Sequence, residues 1–268
     1  GGKLIIISSP YGQTGALWDL HRRHYGRDDS PVLIWQASAL TMHPTLPADY
    51  IERMKEDDPE AYRSEVLGEF RAGLSILLDP EAIAACVASD RRELPPAEGV
   101  CYQAFTDPSG GRRDAFTLAI GHRDGERAVI DLLRAWPAPF NPSGVVGEIA
   151  DLLRQYRLYR VTGDRYAGEW PREQFRANRM RYELASKPKS ELYLELVSHV
   201  QSAAVEIPDD PPLLRELRGL ERKRGPSGRD RVDHAPGAHD DRANAVAGLL
   251  HEILERRCGR GSIQPLII

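Results

Sequence analysis

Cysteine is scarce in this chain. Cys86, Cys101 and Cys258 are the three in 268 residues, odd in number, far apart and without a Cys-x-x-Cys pair. That argues against a disulfide framework and a structural zinc site, and it fits a reducing cytosol. Long apolar runs are missing too. None reaches the length of a membrane span and no signal peptide is recognisable, so a cytoplasmic protein without a membrane partner is expected. Positive charge is not in excess: 36 Lys and Arg stand against 40 Asp and Glu, a net charge of −4. Any contact with nucleic acid must then come from a local basic patch. A phosphate-cradling loop is lacking as well. No Gly-x-x-x-x-Gly-Lys-Ser/Thr run occurs, and "GGK" at 1–3 continues into Leu4, so ATP hydrolysis is not expected of this chain. There is no starting Met: Gly1 leads at once into "KLIIISSP", which reads as a buried strand, and further residues upstream are expected.

What is there is enough for a real core. Apolar residues make up 41%, and the length suits one large domain or one domain with an appendage. Residues 4–7 form a continuous apolar run typical of a parallel strand covered on both faces. "PVLIWQAS" reads as another strand, and helices follow at "ADYIERMKEDD" and "PEAYRSEVLGEF", the second with Pro59 at its first position. Residues 1–70 thus look like the tail of an α/β sheet, and 71–97 like a linker. From residue 98 the pattern changes. "GVCYQAFTDPSGG", "DAFTLAIGHRDG" and "ERAVIDLLRAWP" read as three strands of an antiparallel meander, with Asp124-Gly125 as a hairpin signal. A helix capped by Asn141 or Ser143 follows, then "LYRVTGD" as a strand, "PREQFRANRM" as a helix, "RYELA" as a strand and "SELYLELVSHVQS" as a helix. "AVEIP" is a short strand, "PPLLRELRGLERKRG" a helix, "RDRVDH" extended, and 239–257 the last helix. The order β-β-β-α-β-α-β-α is that of the ribonuclease-H-like fold: α/β, a mixed sheet flanked by helices, here over 98–257 with a tail at 258–268, and preceded by a short α/β segment.

Three acidic positions stand out. Asp107 ends the first strand of the meander, Asp164 ends the fourth strand, and Asp240 and Asp241 open the last helix. Each suits a plain role. Asp107 in "TDPSGG" and Asp164 in "TGDRYAG" are good turn formers, and one Asp at a helix start is a cap favoured by the helix dipole. A second adjacent carboxylate adds repulsion unless a positive charge sits nearby. In this fold the first and fourth strands are neighbours and the late helix starts beside their ends. The three positions then converge, and such carboxylates hold Mg²⁺ or Mn²⁺, one or two hard cations that cleave phosphodiesters. Of the pair, Asp241 is expected to be the direct ligand. Its helix track carries Ala245 and Gly248, small enough for close approach to the strands, and Asn244 sits one turn on. Asp240 is expected to cap, accepting from the amides of Arg242 and Ala243, and to act in the outer shell of the metal site. Val246, Leu249, Leu250 and Ile253 anchor the helix.

"GDRYAGEWPREQF", "SKPKSELYLELV", "LLRELRGLERK" and "DHAPGAHDDRANAVAG" resemble the nuclease part of a tailed-phage large terminase subunit of the prophage-borne branch, over about 98–255. "IIISSPYGQTG" resembles the coupling motif near the end of that family's ATPase domain, and "VLGEF" the linker that closes it. The resemblance implies a metal-dependent endonuclease that cuts concatemeric DNA during packaging. Asp107, Asp164 and Asp240 or Asp241 would be its metal ligands. Its partners would be double-stranded DNA and, in the full system, a small terminase subunit and a portal, in the bacterial host cytoplasm. The family's motor loop is absent here.

Arg215, Arg218, Arg222, Lys223, Arg224, Arg229 and Arg231 form a basic stretch that reads either as a solvated face or as a phosphate-tracking loop. Arg165, Lys187 and Lys189 are further DNA-binding candidates. His199, His234 and His239 lack a ligand spacing. Trp136, Tyr156, Tyr159 and Tyr193 are most simply core. Two other readings compete: a resolvase or transposase relative that shares the carboxylates, and a catalytically idle packaging component that only docks on DNA or a portal.

Overall fold

The computed structural model describes residues 2–13, 15–71, 74–164, 169–224, 230–234 and 238–255. The chain divides into two units, Gly1–Ile76 with Arg222–Arg231, and Leu77–Glu221 with Val232–Ile268. In the first unit, helices α1 (Gly15–His24), α2 (Ala39–Met42), α3 (Ala48–Asp57) and α4 (Pro59–Ala61) lead into a π-helical turn at Tyr62–Val66 and strand β1 (Leu74–Ile76). The strands expected at 4–7 and 31–38 do not form. Leu4 is 87% and Ile7 94% exposed, and Leu33 and Trp35 are exposed too. A parallel strand needs a partner on at least one edge and cover on its faces. Among the described residues the first half of this unit makes one isolated bridge, Gly12 to Arg71.

The second unit holds α5 (Pro80–Cys86), β2 (Val87–Ala88), β3 (Tyr102–Asp107), β4 (Phe116–Asp124), β5 (Arg127–Trp136), α6 (Pro142–Gln155), β6 (Arg160–Gly163), α7 (Trp170–Ala177), β7 (Arg181–Leu184), α8 (Lys189–Gln201), β8 (Val205–Pro208) and α9 (Pro211–Arg218). Strands β9 (Leu220–Arg224) and β10 (Asp230–His234), of which the residues from Arg222 to Arg231 count with the first unit, follow, and α10 (Asp241–Glu255) comes last. β1, β9 and β10 are the members of a small sheet, in the order β1-β9-β10. The large sheet has seven strands in the order β2-β8-β5-β4-β3-β6-β7. β3, β4 and β5 are the expected antiparallel meander, and β6 returns parallel beside β3. β6 runs in the same direction as β5, so the link between them needs a crossover, which α6 supplies. Asn141 caps α6 by accepting from the Ser143 amide at 3.1 Å, ahead of a Pro whose missing N–H costs nothing in the first turn. The result is the ribonuclease-H-like mixed sheet flanked by helices that the element order predicts.

Alternation along the strands sorts the two faces. Tyr102, Ala104, Phe116, Leu118 and Ile120 pack with α6 and α7, while Phe105, Ala119 and Ile130 pack with α5, α8, α9 and α10. From 77 onward the chain is already part of this second layer, with Leu78, Ile83 and Cys86 buried and β2 paired parallel to β8. α10 lies across β3 and β4, beside α8. Its far end is tied to α8 by His251, which bridges Ser186 Oγ and Glu195 Oε2 at 2.8 Å each.

Some expectations are corrected. The helix predicted through residue 225 stops at Arg218. The Gly219 amide closes on the Arg215 and Glu216 carbonyls, and Leu220 turns into the core at the start of a strand. Tyr193 and Tyr156 are core, but Tyr159 is 67% exposed. Cys86 is a free buried thiol, whereas Cys101 is disulfide-bonded. Distance along the chain does not limit such a bond; only proximity in the fold does.

Candidate active site

Register brings the first two carboxylates together. Phe105 pairs with Thr162 and Thr106 with Gly163. The next residue of each parallel strand, Asp107 and Asp164, therefore leaves the sheet at the same edge, on neighbours about 4.8 Å apart. Gly163 permits this. A Cβ there would overlap the Tyr182 ring, whose hydroxyl donates to the Asp164 carbonyl at 3.3 Å.

α10 delivers the third carboxylate to that edge. It begins at Asp241, whose Oδ2 accepts from the Ala115 amide at 3.2 Å. One turn on, the buried Asn244 donates through Nδ2 to Asp164 Oδ2 at 3.3 Å, and its buried Oδ1 has no hydrogen-bond partner among the described residues. The cap differs from expectation. The amides of Arg242 and Ala243 donate to Glu216 Oε2, at 2.7 and 3.0 Å, rather than to Asp240. Glu216 comes from α9 and also receives Arg242 Nη1 at 3.1 Å. Burial raises its pKa, and the Ala243 amide and the Arg242 side chain act against that rise.

Asp240 turns inward and is 4% exposed. Lys189 Nζ donates to its Oδ1 at 2.8 Å and lies 2.7 Å from Oδ2, and the Tyr193 hydroxyl donates at 2.9 Å. Burial pulls the Lys189 pKa down, but the charge and hydrogen bond of Asp240, with Asp107 and Asp164 behind them, outweigh it and hold the ammonium charged. Removing one partner from a buried pair strands the other charge, at about 3–5 kcal/mol. Lys189→Met is therefore expected to lower the melting temperature sharply. Asp240→Asn is expected to lower it too and to weaken cleavage in part. In the double variant the two losses should fall well short of additive. Additive losses in a thermal-melt cycle would mean that the pair is not coupled.

Asp107 is strongly perturbed. Burial pushes its pKa up from 3.8 to about 7; the Asn244 hydrogen bond and Lys189 oppose this, and the charges of Asp164 and Asp241 add to it. Asp241 is also raised, first by burial, with Asp114 and Asp240 adding and the Ala115 amide and His239 opposing. With Asp107 raised, the folded state keeps a proton that the unfolded chain has released between pH 3.8 and about 7. Its contribution is full at low pH and is lost as pH climbs to about 7. In chelator, the melting temperature of the Asp107→Asn variant minus that of the parent protein should therefore rise from pH 5 to pH 8. A difference that stays flat would contradict the shift.

These groups line a cavity of about 620 Å³ that includes Asp107, Asp240, Asp241 and Lys189, with Trp170 and Pro171 as an apolar wall. Among the described residues no three His, Cys, Asp or Glu side chains already enclose a common point at metal-binding distance. His234 Nε2 is 3.9 Å from Asp240, and His239 pairs at 3.8 Å with the exposed Asp114. Of the DNA-binding candidates, Lys189 faces the cavity and is engaged by Asp240, while Lys187 is held by Glu195 and Glu255. Arg165 and Arg229 lie outside the described residues, as do the side chains of Arg224 and Arg231. Sequence reasoning missed Glu216 and the hydrogen bond that the core residue Tyr193 gives to Asp240. No motif marks a residue that caps or pairs with a helix far along the chain.

No protein-family model matches this chain, and no curated protein sequence does. Solved structures do. The large terminase nuclease from thermophilic phage G20c superposes with a TM-score of 0.56 at 20% identity, over 64% of this chain and 95% of that one. The same nuclease with bound magnesium gives 0.55 at 19% identity, with the same shares covered. The HK97 bacteriophage large terminase gives 0.55 at 15% identity, over 80% of this chain and 53% of its own. At such identities the likeness is one of fold, shared with large terminase nuclease domains from several phages.

Proposed function

We propose that this chain is the nuclease part of a phage large terminase subunit, a divalent-metal-dependent endonuclease that cuts double-stranded DNA during packaging. In this reading residues 1–70 are the end of an adjoining ATPase-like domain, and a small terminase subunit and a portal are its partners in the host cytoplasm. The observation that carries the reading is the arrival of Asp107, Asp164 and Asp241 at one sheet edge from three separate elements.

The donor set suits Mg²⁺ or Mn²⁺. All three groups are carboxylates, the hard oxygen donors these ions prefer. Without a cation, burial, with the neighbouring carboxylate charges adding to it, favours a proton on Asp107. The buried Asn244 Oδ1, without a partner among the described residues, is a further oxygen beside them. Asp107, Asp164 and Asp241 would hold the metal, and Asp240 stands aside because Lys189 already meets its charge. When bound, one or two such ions would supply an activated water and stabilise charge at the phosphate. The chain's own residues position the ligands: Asn244 fixes Asp164, the Ala115 amide fixes Asp241, and Lys189 with Tyr193 holds Asp240. The G20c nuclease, which shares the fold, holds magnesium, and that supports the same use here.

Supercoiled plasmid should be nicked or linearised in Mn²⁺ or Mg²⁺ and stay intact in EDTA. Sequence preference should be weak, since contacts to phosphates carry little base information. Cleavage at full rate in chelator, from clean protein, would sink the metal-dependent mechanism.

A further inference from the structure

Asp241 borders two cavities. Besides the one shared with Asp107, a second of about 430 Å³ opens between the loop after β3 and the end of α9, and it shares Ala115, His239 and Asp241 with the first. Most charges on its walls are matched. Arg242 is held by Glu216 at 3.1 Å and lies 3.7 Å from Asp210, and Glu216 is taken up by α10 amides. Two are not. Arg113 on the loop and Arg215 on α9 line this cavity and are exposed, and among the described residues their side chains make no hydrogen bond or ion pair. Guanidinium groups stay charged at any working pH, and their planar fork matches two oxygens of one phosphate.

We propose that this groove is a second phosphate subsite. It would take the nucleic-acid backbone next to the phosphate that meets the metal site of Asp107, Asp164 and Asp241, with Arg113 and Arg215 gripping it from two walls. The proposal rests on the nuclease reading for the identity of its ligand. A continuous polyanion fits better than a free anion, because the groove opens onto the carboxylate cavity and shares Asp241 with it. A strand crossing Asp241 needs cations further along to hold it against the acidic cluster. Phosphate contacts of this kind position the strand and leave base identity unread.

The test uses the full chain. Binding of a fluorescent DNA duplex is measured in EDTA by anisotropy across a salt series, and plasmid nicking in Mn²⁺ is measured in parallel. The variants are Arg113→Gln, Arg215→Gln, both together, both to Lys, and Arg157→Gln. Arg157 is an exposed arginine ahead of β6, at the opposite end of that strand from Asp164, and pairs loosely with Glu98 at 3.6 Å. Each single Gln variant should reduce the slope of log affinity against log salt by about 0.9, and the double by about 1.8, with binding on the order of tenfold weaker at physiological salt. The double Lys variant should restore the slope, and Arg157→Gln should leave it unchanged. A double Gln variant that binds like the parent, while the parent still nicks plasmid, overturns the subsite and leaves the nuclease reading standing. Equal losses in Arg157→Gln overturn it in favour of diffuse attraction. A parent that binds duplex through these arginines but never nicks supports the groove and refutes the nuclease reading. A parent that neither binds nor nicks refutes both.

Discussion

Asp241→Asn is expected to abolish metal-dependent cleavage while leaving the fold and DNA binding nearly intact. The side chain keeps its shape, and its remaining carbonyl oxygen still accepts from the Ala115 amide. What is lost is one negative charge where Asp107 and Asp164 already crowd. Removing a group that only supports a metal ligand costs about 10–100-fold; losing a direct ligand should cost more than about a hundredfold. Asp107→Asn should do the same. Melting temperature in chelator should hold or rise slightly, since like charges are relieved. Asp240→Asn makes the contrast, because its defect falls on stability first. Plasmid nicking and thermal melts on both variants decide the matter. An inactive Asp240→Asn beside an active Asp241→Asn reverses the assignment, and normal cutting by both reduces the pair to a helix terminus.

Gly248→Ala should be among the most damaging single substitutions outside the acidic cluster. Gly248 lies on the face of α10 that meets β3, and a Cβ there would sit 2.5 Å from Phe105 Cδ2 and nearer still to other ring atoms. Phe105 is itself fully buried, 1% exposed, two residues before Asp107. The ring has no room to retreat, so the helix must back away from the strand. Overpacking of this sort costs about 1–3 kcal/mol, and the upper end of that range corresponds to a fall of roughly 6–12 °C in melting temperature for a domain of this size. Because the helix carries Asp241 and Asn244, cleavage should fall with stability. Phe105→Leu in the Gly248→Ala background should recover part of both, as expected for two residues in contact. An Ala variant that melts and cuts like the parent would show that the helix does not need this close approach.

Much of this site was legible beforehand because the relevant signals are local. Alternation and turn residues mark strands that end at Asp107 and Asp164, and the small track Ala245–Gly248 marks the face of α10 that approaches them. Hairpin and crossover rules then bring β3 and β6 side by side. At the other end of the chain the same kind of signal misled. The apolar run 4–7 has the composition of a buried strand, yet it lies exposed. Composition records what a segment can bury and not whether partners are at hand to bury it.

The sequence by itself determined the type and order of the elements between 102 and 208, the ends of the strands that bear carboxylates, and the close-packing face of the last helix. Only the tertiary structure decided how the two adjacent aspartates divide. Asp240 is drawn inward by Lys189, 51 residues before it. Glu216, 26 residues before Arg242, takes over the helix end. Asp241 lines the cavity with Asp107, its Oδ2 on the Ala115 amide. Periodicity encodes which side of an element is apolar, because that depends on the element's own geometry. Where a charge can be buried depends on which opposite charge arrives to meet it, and that partner comes from a distant part of the chain.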